Sequence, residues 1–489
     1  MKNFIGIDLG TSSVKLVLLS ESGSVLKTVT KSYPVFYPRG GWSEQNPKDW
    51  VNGVIDGLFE LLSGQEAALV EGIGVCGQMH GLVVLDDQDN VIRPCILWND
   101  GRTEKETEYL NETIGKKSLS DLTANIAFAG FTAPKILWLK NNEPENFSRI
   151  AKIMLPKDYI VYMLTGEFTT DYSDASGTLL LDVKNKIWSK KMCEICSVKS
   201  EWLPKLYESY EKAGYLKSEL AKRLGLTGKI AIAAGAGDNA AAAVGIGTVK
   251  NGDCNISLGT SGTVFISQNN FSVDKNNALH SFCHASGKFH LMGCILSAAS
   301  CNGWWMNVID SSDYDAEQTG ADKYLGINDV FFLPYMMGER SPHNDVNAKG
   351  AFIGLRPDTS RAQMTLAVME GVAFSLRDCI EVARGNGLII SSSGICGGGS
   401  RSDLWKKIIA NVCNVIVEVP KIEEGPAYGA AILSMVASGK YNSVEEAVDK
   451  TTGFIDKIYP DPLLAEKYDE RYLVFKKLYP ALKPVFPLI

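Results

Sequence analysis

The stretch GIDLGTSSVK at Gly6–Lys15 recurs in outline as NISLGTSGTV at Asn255–Val264, and nothing else in the chain restricts its fold as strongly. In the first copy Phe4 to Ile7 reads as a strand, a Gly-Thr-Ser turn follows, and Val14, Leu16 and Leu18 then alternate with a period of two. Strand, turn and strand make a hairpin. The second copy has the same plan, with Ile256 and Leu258 before the turn and Val264 and Ile266 after it. A strand-to-helix phosphate loop would carry Gly-Lys-Ser/Thr, which neither copy has. Two related hairpins in 489 residues, too many for one ordinary core, predict two related domains.

Between and beyond the hairpins, strand-like runs (GIGVCGQ, KIAIAAG, NVIVEVP) alternate with helical stretches such as Pro47 to Leu62 and Thr359 to Arg384. Ser360-Arg361-Ala362-Gln363 opens the latter with a capping-box pattern. The alternation implies a mixed α/β class. The boundary falls near Val244 to Thr248, which divides the chain into residues 1–244 and 245–489. Leu464 to Leu478 has a helical rhythm without evident chemistry and reads as a packing helix.

Several classes of function are disfavoured. The formal charge of -7 and the lack of a dense Lys/Arg run supply no phosphate-neutralising face for nucleic acid. The N-terminal MKNFIGIDLG enters a strand at once and meets Asp8, no signal-peptide core is evident, and no apolar run approaches the ~20 residues that span a bilayer. A cytoplasmic location without membrane partners is expected. Eleven cysteines at irregular spacing read as reduced packing residues, the Cys193/Cys196 pair included, and the histidines show no metal-ligand spacing.

The chemistry concentrates in a few places. Gly10 and Gly259 permit close approach, and Thr11, Ser12, Thr260 and Ser261 add hydroxyls to clustered backbone N–H groups, a combination suited to phosphate oxygens. Asp8 stands in the first copy only, where the second has Ser257. A carboxylate beside a polyphosphate requires an intervening divalent cation, so Asp8 points to Mg²⁺, directly or through water. In IAIAAGAGDNAAAAVGIG, Asp238 follows an apolar strand and opens a helix; it reads as an N-cap, a role compatible with that of a catalytic carboxylate. Gly397, Gly398 and Gly399, which link the apolar run at Leu388–Ile390 and its continuation to a helix starting near Ser402, bare a stretch of backbone for a base or a phosphate. GQMHG (His80) and ILWNDGR (Trp98, Asn99, Asp100) offer an aromatic face with polar groups, as a sugar pocket needs, or else a satisfied loop histidine and a core tryptophan.

Taken in order, FIGIDLGTSSVK, GQMHG, ILWNDGR, GFTAPKILWL, LPKDYI, GAGDNAAAAVG, SLGTSGTVF, FLPYMMGERSPHND and GICGGGSRSDLW resemble the FGGY carbohydrate kinases from Phe4 to about Ser434. That resemblance implies an actin/hexokinase-like ATPase fold, two ribonuclease-H-like domains with an interdomain cleft. It implies an ATP-dependent sugar kinase with Asp238 as general base. Asp8, Thr11 and Ser12 would belong to the first phosphate loop, Gly259, Thr260 and Ser261 to the second, and Gly397–Gly399 to an adenosine motif. Met79, His80, Asp238 and Asn239 would contact the sugar, with Trp98 and Asp100 nearby. ATP, Mg²⁺ and a small sugar are the implied ligands, and a homodimer is expected by analogy. The QMHG and WND versions of the motifs imply D-xylulose, phosphorylated at O5; gluconate, ribulose, fuculose or glycerol are the alternatives. A non-catalytic nucleotide switch or sugar sensor is the remoter one.

Overall fold

The computed structural model describes residues 2–64 and 67–489. The chain forms two compact units. The first comprises Met1–Val249, Ser281–His290 and Glu424–Gly453, and the second Lys250–His280, Leu291–Glu423 and Phe454–Ile489.

The first unit is built on a seven-stranded mixed sheet: β1 (Asn3–Leu9), β2 (Ser13–Ser20), β3 (Val25–Ser32), β4 (Val70–Gly77), β5 (Lys212–Tyr215), β6 (Ala231–Ala233) and β7 (Ala236–Gly237). Its order is β5-β6-β4-β1-β2-β3, and β7 also pairs with β4. The anticipated hairpin is β1–β2, antiparallel with Asp8 opposite Lys15, and β4 runs parallel to β1 on its other side. The period-two alternation buries Ile5, Ile7, Val14, Leu16 and Leu18 in one core. Helix Pro47–Leu62 covers the hairpin with Trp50, Val54, Leu58 and Leu61. Helix Gly425–Ala437 packs directly on β1 and β4: a Cβ on Gly6 would sit 1.8 Å from the Ala427 carbonyl oxygen, and one on Gly74 1.8 Å from that of Ala430. Glycine is therefore required there by the approach of two backbones.

The second seven-stranded sheet contains β8 (Cys254–Leu258), β9 (Gly262–Gln268), β10 (His280–Cys283), β11 (Phe289–Ile295), β12 (Ser392–Cys396), β13 (Ile416–Pro420) and β14 (Phe454–Ile458), in the order β10-β11-β9-β8-β12-β13-β14. Its β8–β9 hairpin with β12 parallel to β8 repeats the β1–β2–β4 arrangement. Strand β12 begins at Ser392, so Leu388–Ile390 precede it rather than forming its first part. Helix Arg361–Gly385 starts with the expected Ser360/Gln363 capping box, and helix Asp403–Cys413 is capped by Ser402.

The C-terminal helix Pro462–Leu482 is a packing element, as its rhythm suggested, though its polar groups are buried too. Arg471 pairs with Glu370 at 2.7 Å, and the Tyr468 and Tyr472 hydroxyls donate to Glu370 and Asp378. Tyr479 stacks on His343 at 3.6 Å, which gives the histidine of GERSPHND a packing partner. The eleven cysteines are all unpaired thiols. Among the described residues no helix is long and apolar enough to cross a membrane.

Candidate active site

Both Gly-Thr-Ser turns have their carbonyls tied inward. In the first, Gly10 O accepts from the Tyr33 hydroxyl at 2.5 Å, Thr11 O from Gln45 Nε2 at 2.6 Å, and Ser12 O from Tyr33 N at 3.1 Å. In the second, Gly259 O accepts from Ala299 N at 2.9 Å, and Thr260 O from Ala298 N at 2.9 Å and from the Ser300 hydroxyl at 2.7 Å. In a trans peptide the N–H points opposite to the C=O. The amides of Thr11 and Ser12, and those of Thr260 and Ser261, therefore point outward, and none of the four donates a hydrogen bond among the described residues. Two adjacent outward amides flanked by hydroxyls form an anion-binding nest. The duplication is thus one of donor presentation as well as of backbone.

The first turn is locked by a buried chain of amides that the sequence did not announce. The Trp50 indole, which can only donate, fixes Gln45 Oε1 as acceptor at 3.1 Å; the same oxygen takes Gln78 Nε2 at 2.9 Å, and Gln45 Nε2 is left to hold Thr11 O. Gln78 immediately precedes Met79 and His80, so the turn and the loop after β4 share one tether. On the outer side the Trp98 indole donates to Thr11 Oγ1 at 3.0 Å. Trp98 is 46% exposed, so it is a surface aromatic at the phosphate turn and not a core residue.

His80 adopts φ = +70°. That conformation is uncommon for a side-chain-bearing residue and is held here from several directions. Its carbonyl accepts from Lys135 Nζ at 2.8 Å and Thr132 Oγ1 at 3.1 Å, its Nδ1 lies 2.8 Å from Gly177 O, and its ring stacks on Phe131 at 4.6 Å. Lys135 is the lysine of GFTAPKILWL; burial lowers its pKa to about 7. Met79 is buried against Gly177 and Gly237, where an added Cβ would lie 3.1 and 2.9 Å from its side chain.

Asp238 is the first residue of helix Asp238–Ile246, and Gly237 occupies the N-cap position, so the N-cap reading of Asp238 shifts by one residue. Its Oδ1 accepts from Asn239 N at 2.7 Å and Asn239 Nδ2 at 2.9 Å. Oδ2 receives no hydrogen bond among the described residues and is open to a ligand proton. The carboxyl is half-buried, and desolvation pushes its pKa up to about 6 against the donation from Asn239. Asp8, near the end of β1, is pushed up to about 7, first by burial and then by the charge of Asp238; Cys76 and Lys15 oppose the rise. The charge of Asp238 raises the cost of ionising Asp8, a cost that a cation beside Asp8 would offset.

Among the described residues no group of three or more His, Cys, Asp or Glu side chains is arranged to hold a metal ion. A single carboxylate such as Asp8 would suffice for Mg²⁺, which takes few protein ligands when phosphate oxygens and water complete its shell. Asp100 is not available to a ligand. Its oxygens are taken up by Ser43 N at 2.5 Å, Arg102 N at 2.9 Å, and Arg102 Nε and Nη2 at 2.8 and 2.7 Å. This buried pair sits under Trp42, whose ring centroid is 3.8 Å from the guanidinium. WND thus divides into an exposed tryptophan at the turn and a structural aspartate.

In the second unit Gly397 (φ = +88°) and Gly399 back onto Leu258, the residue before the second turn: added Cβ atoms would lie 2.6 Å from Leu258 O and 2.9 Å from its Cβ. Gly398 has nothing within 4 Å of the corresponding position. The structure therefore sets the triple glycine beside the Gly259–Ser261 turn with one open face.

Two α/β units, each with a hairpin whose turn presents paired amides and a parallel strand leading to a second loop, define the actin/hexokinase-like class of ATPases. The sequence model of the FGGY carbohydrate kinase N-terminal domain matches residues 3–245 and that of the C-terminal domain residues 254–438. The chain belongs to the FGGY family of carbohydrate kinases, and its activity is that of an ATP-dependent sugar kinase. It is 39% identical over 486 residues to the xylulose kinase of Escherichia coli K12, covering 99% of both chains. A crystal structure of a xyloylose kinase from Brucella ovis superposes with a TM-score of 0.94 at 39% identity, over 99% of this chain and 100% of that one. A gluconate kinase from Lactobacillus acidophilus superposes almost as well, TM-score 0.93, but at 26% identity, over 98% of each chain.

Proposed function

We propose that this kinase transfers the γ-phosphoryl of MgATP to O5 of D-xylulose, giving D-xylulose 5-phosphate and ADP. The observation that carries the chemistry is Asp238: a carboxylate with one oxygen held by Asn239 and the other open, its pKa raised to about 6. A general base is most effective when its pKa lies just below working pH, so that it is ionised yet still basic. Asp238 accepts the O5 proton as O5 attacks the γ-phosphorus in line, and the bond from that phosphorus to the ADP oxygen breaks. The outward amides of Thr11, Ser12, Thr260 and Ser261 hold phosphate oxygens. Gly397–Gly399 offer bare backbone to the adenosine moiety. Met79, His80 and Asn239 orient the sugar beside Asp238, and Trp98 borders them. Asp8 would hold the Mg²⁺ that enters with ATP, directly or through water, and the ion would supply charge neutralisation at the transferring phosphoryl.

The choice of sugar rests on the 39% identical, full-length xylulose kinase relative. A gluconate acceptor is the second reading, favoured by the near-equal superposition of the gluconate kinase. The reducing cytoplasm is the compartment proposed, in keeping with eleven unpaired thiols and ATP as substrate. A homodimer is proposed by analogy alone.

The deciding experiment is ADP release with MgATP across D-xylulose, D-ribulose, L-ribulose, L-fuculose, gluconate, glycerol and no sugar. Stimulation by D-xylulose well above all others is expected. Stimulation by gluconate instead transfers the mechanism to that acceptor, and ATP hydrolysis indifferent to every sugar would remove the kinase reading itself.

A further inference from the structure

Behind Asp238, in the first unit, lies a cluster of ionisable groups that the proposed reaction does not use. Lys157 and Asp158, from LPKDYI, and Asp171 and Asp174 are all withdrawn from solvent. Burying a lysine among three carboxylates is expensive, and apolar residues of similar size would commonly serve stability as well. The geometry shows where the cluster directs its hydrogen bonds. Lys157 Nζ contacts Asp158 Oδ1 at 2.6 Å, Asp171 Oδ1 at 2.8 Å and the Ala234 carbonyl at 3.2 Å. Asp171 Oδ2 accepts from Ser173 N at 2.8 Å, Ser173 Oγ at 2.5 Å and Ser209 Oγ at 2.7 Å. Ser173 Oγ in turn accepts from Gly237 N at 3.2 Å, and Ser209 O from Gly235 N at 3.0 Å.

Three of these lines end on one short segment, Ala234–Gly237, and that segment delivers Asp238. Backbone pairing of that segment is brief: Gly235 has φ = +84°, β7 pairs with β4 over only two residues, and Ala234 N donates to Glu211 O at 2.8 Å. We propose that Asp171, braced by Lys157, is the positioning residue of the site, fixing through Ser173 and Ser209 the peptide that aims Asp238 at the acceptor hydroxyl. The inference rests on the reading of Asp238 as base. Asp174, next to Ser173 in the chain, makes no hydrogen bond through either oxygen, and burial pushes its pKa well above the ordinary carboxylate value. Hydrogen bonds in a buried network rigidify the backbone they hold, and a misplacement of about 1 Å at a reacting group costs about 100-fold in rate.

The test compares Ser173→Ala, Ser209→Ala and Asp238→Asn in the full chain. Ser173→Ala removes the acceptor of Gly237 N; Ser209→Ala removes one bond to Asp171 while its backbone still holds Gly235. The expected signature is a kcat lower by about 10- to 100-fold in Ser173→Ala and by a smaller factor in Ser209→Ala, KM for MgATP within about twofold, and a displaced acid limb of the pH profile. A structural role alone would lower the melting temperature but leave kcat per folded molecule and the acid limb unmoved, and that result overturns the proposal. Should Ser173→Ala not fold, a normal kcat and pH profile in Ser209→Ala overturns it equally. If Asp238→Asn turns over normally, the base assignment falls; if it is inactive while both serine variants are normal, only the positioning role falls.

Discussion

Lowering the pH from 7 to 5 should cut the activity of this kinase through protonation of its base, Asp238. The open carboxylate of Asp238 carries a pKa of about 6 where an unperturbed aspartate has 3.8, and desolvation is the dominant cause. A base must be ionised to act, so activity is present above the shifted pKa and is lost as pH falls through it. With a pKa of 6, about 90% of the molecules hold an ionised base at pH 7 and about 10% at pH 5, so kcat/KM should drop about tenfold. An unperturbed aspartate would still be about 90% ionised at pH 5, with almost no loss. The measurement is kcat/KM for the sugar at saturating MgATP, with ADP quantified in quenched samples so that no coupling enzyme imposes its own profile. Return of full activity after incubation at pH 5 separates titration from unfolding. A profile flat down to pH 5, or an inflection near 4, would refute the claim that burial has tuned this residue.

Three further outcomes follow from the same geometry. Asp8 has a folded pKa of about 7 against 3.8 for an ordinary aspartate, so its contribution to stability is present at low pH and is lost as pH rises towards 7; without nucleotide, Asp8→Asn should therefore melt higher than the parent at pH 8, with the gap closing near pH 4, by differential scanning calorimetry. Trp98→Phe keeps the ring but loses the bond to Thr11 Oγ1, worth about 1 kcal/mol, and should lower kcat/KM for MgATP about fivefold with little change in melting temperature; unchanged kinetics would detach Trp98 from the phosphate turn. Gly6→Ala drives a methyl group onto the Ala427 carbonyl, which is backbone and cannot step aside, and should cost more than about 4 kcal/mol, read as loss of soluble protein.

The hairpins were legible because strands with one buried face write their period directly into the sequence, and because the turn was written twice. Helix Pro47–Leu62 was legible to the residue, since Asn46 and Pro47 mark its start. Sequence did not reveal which polar residues act through others. Gln78 is distant in the chain from Gln45 and Trp50 and meets them only because β4 runs beside β1; no spacing rule links it to them. Asp100 and Trp98 look like one motif, yet the turn at Trp98–Asn99 lets one side chain enter a buried pair with Arg102 and the other reach out to Thr11. Gly237 rather than Asp238 caps its helix, a one-residue shift that frees Oδ2, and propensity cannot resolve a shift of that size.

The helix Gly425–Ala437 lies against the Gly6 and Gly74 side of the first sheet although it is encoded near the end of the chain. While the chain is being made, that side has no cover for roughly 200 residues of synthesis after Val249, about 10–40 s at common elongation rates. The nascent first unit is thus a late finisher that must be kept from sticking to its neighbours for that time. A gene fragment ending at Val249 should yield aggregates, and supplying residues 424–453 as a separate peptide should recover soluble material only if that missing cover is the sole defect.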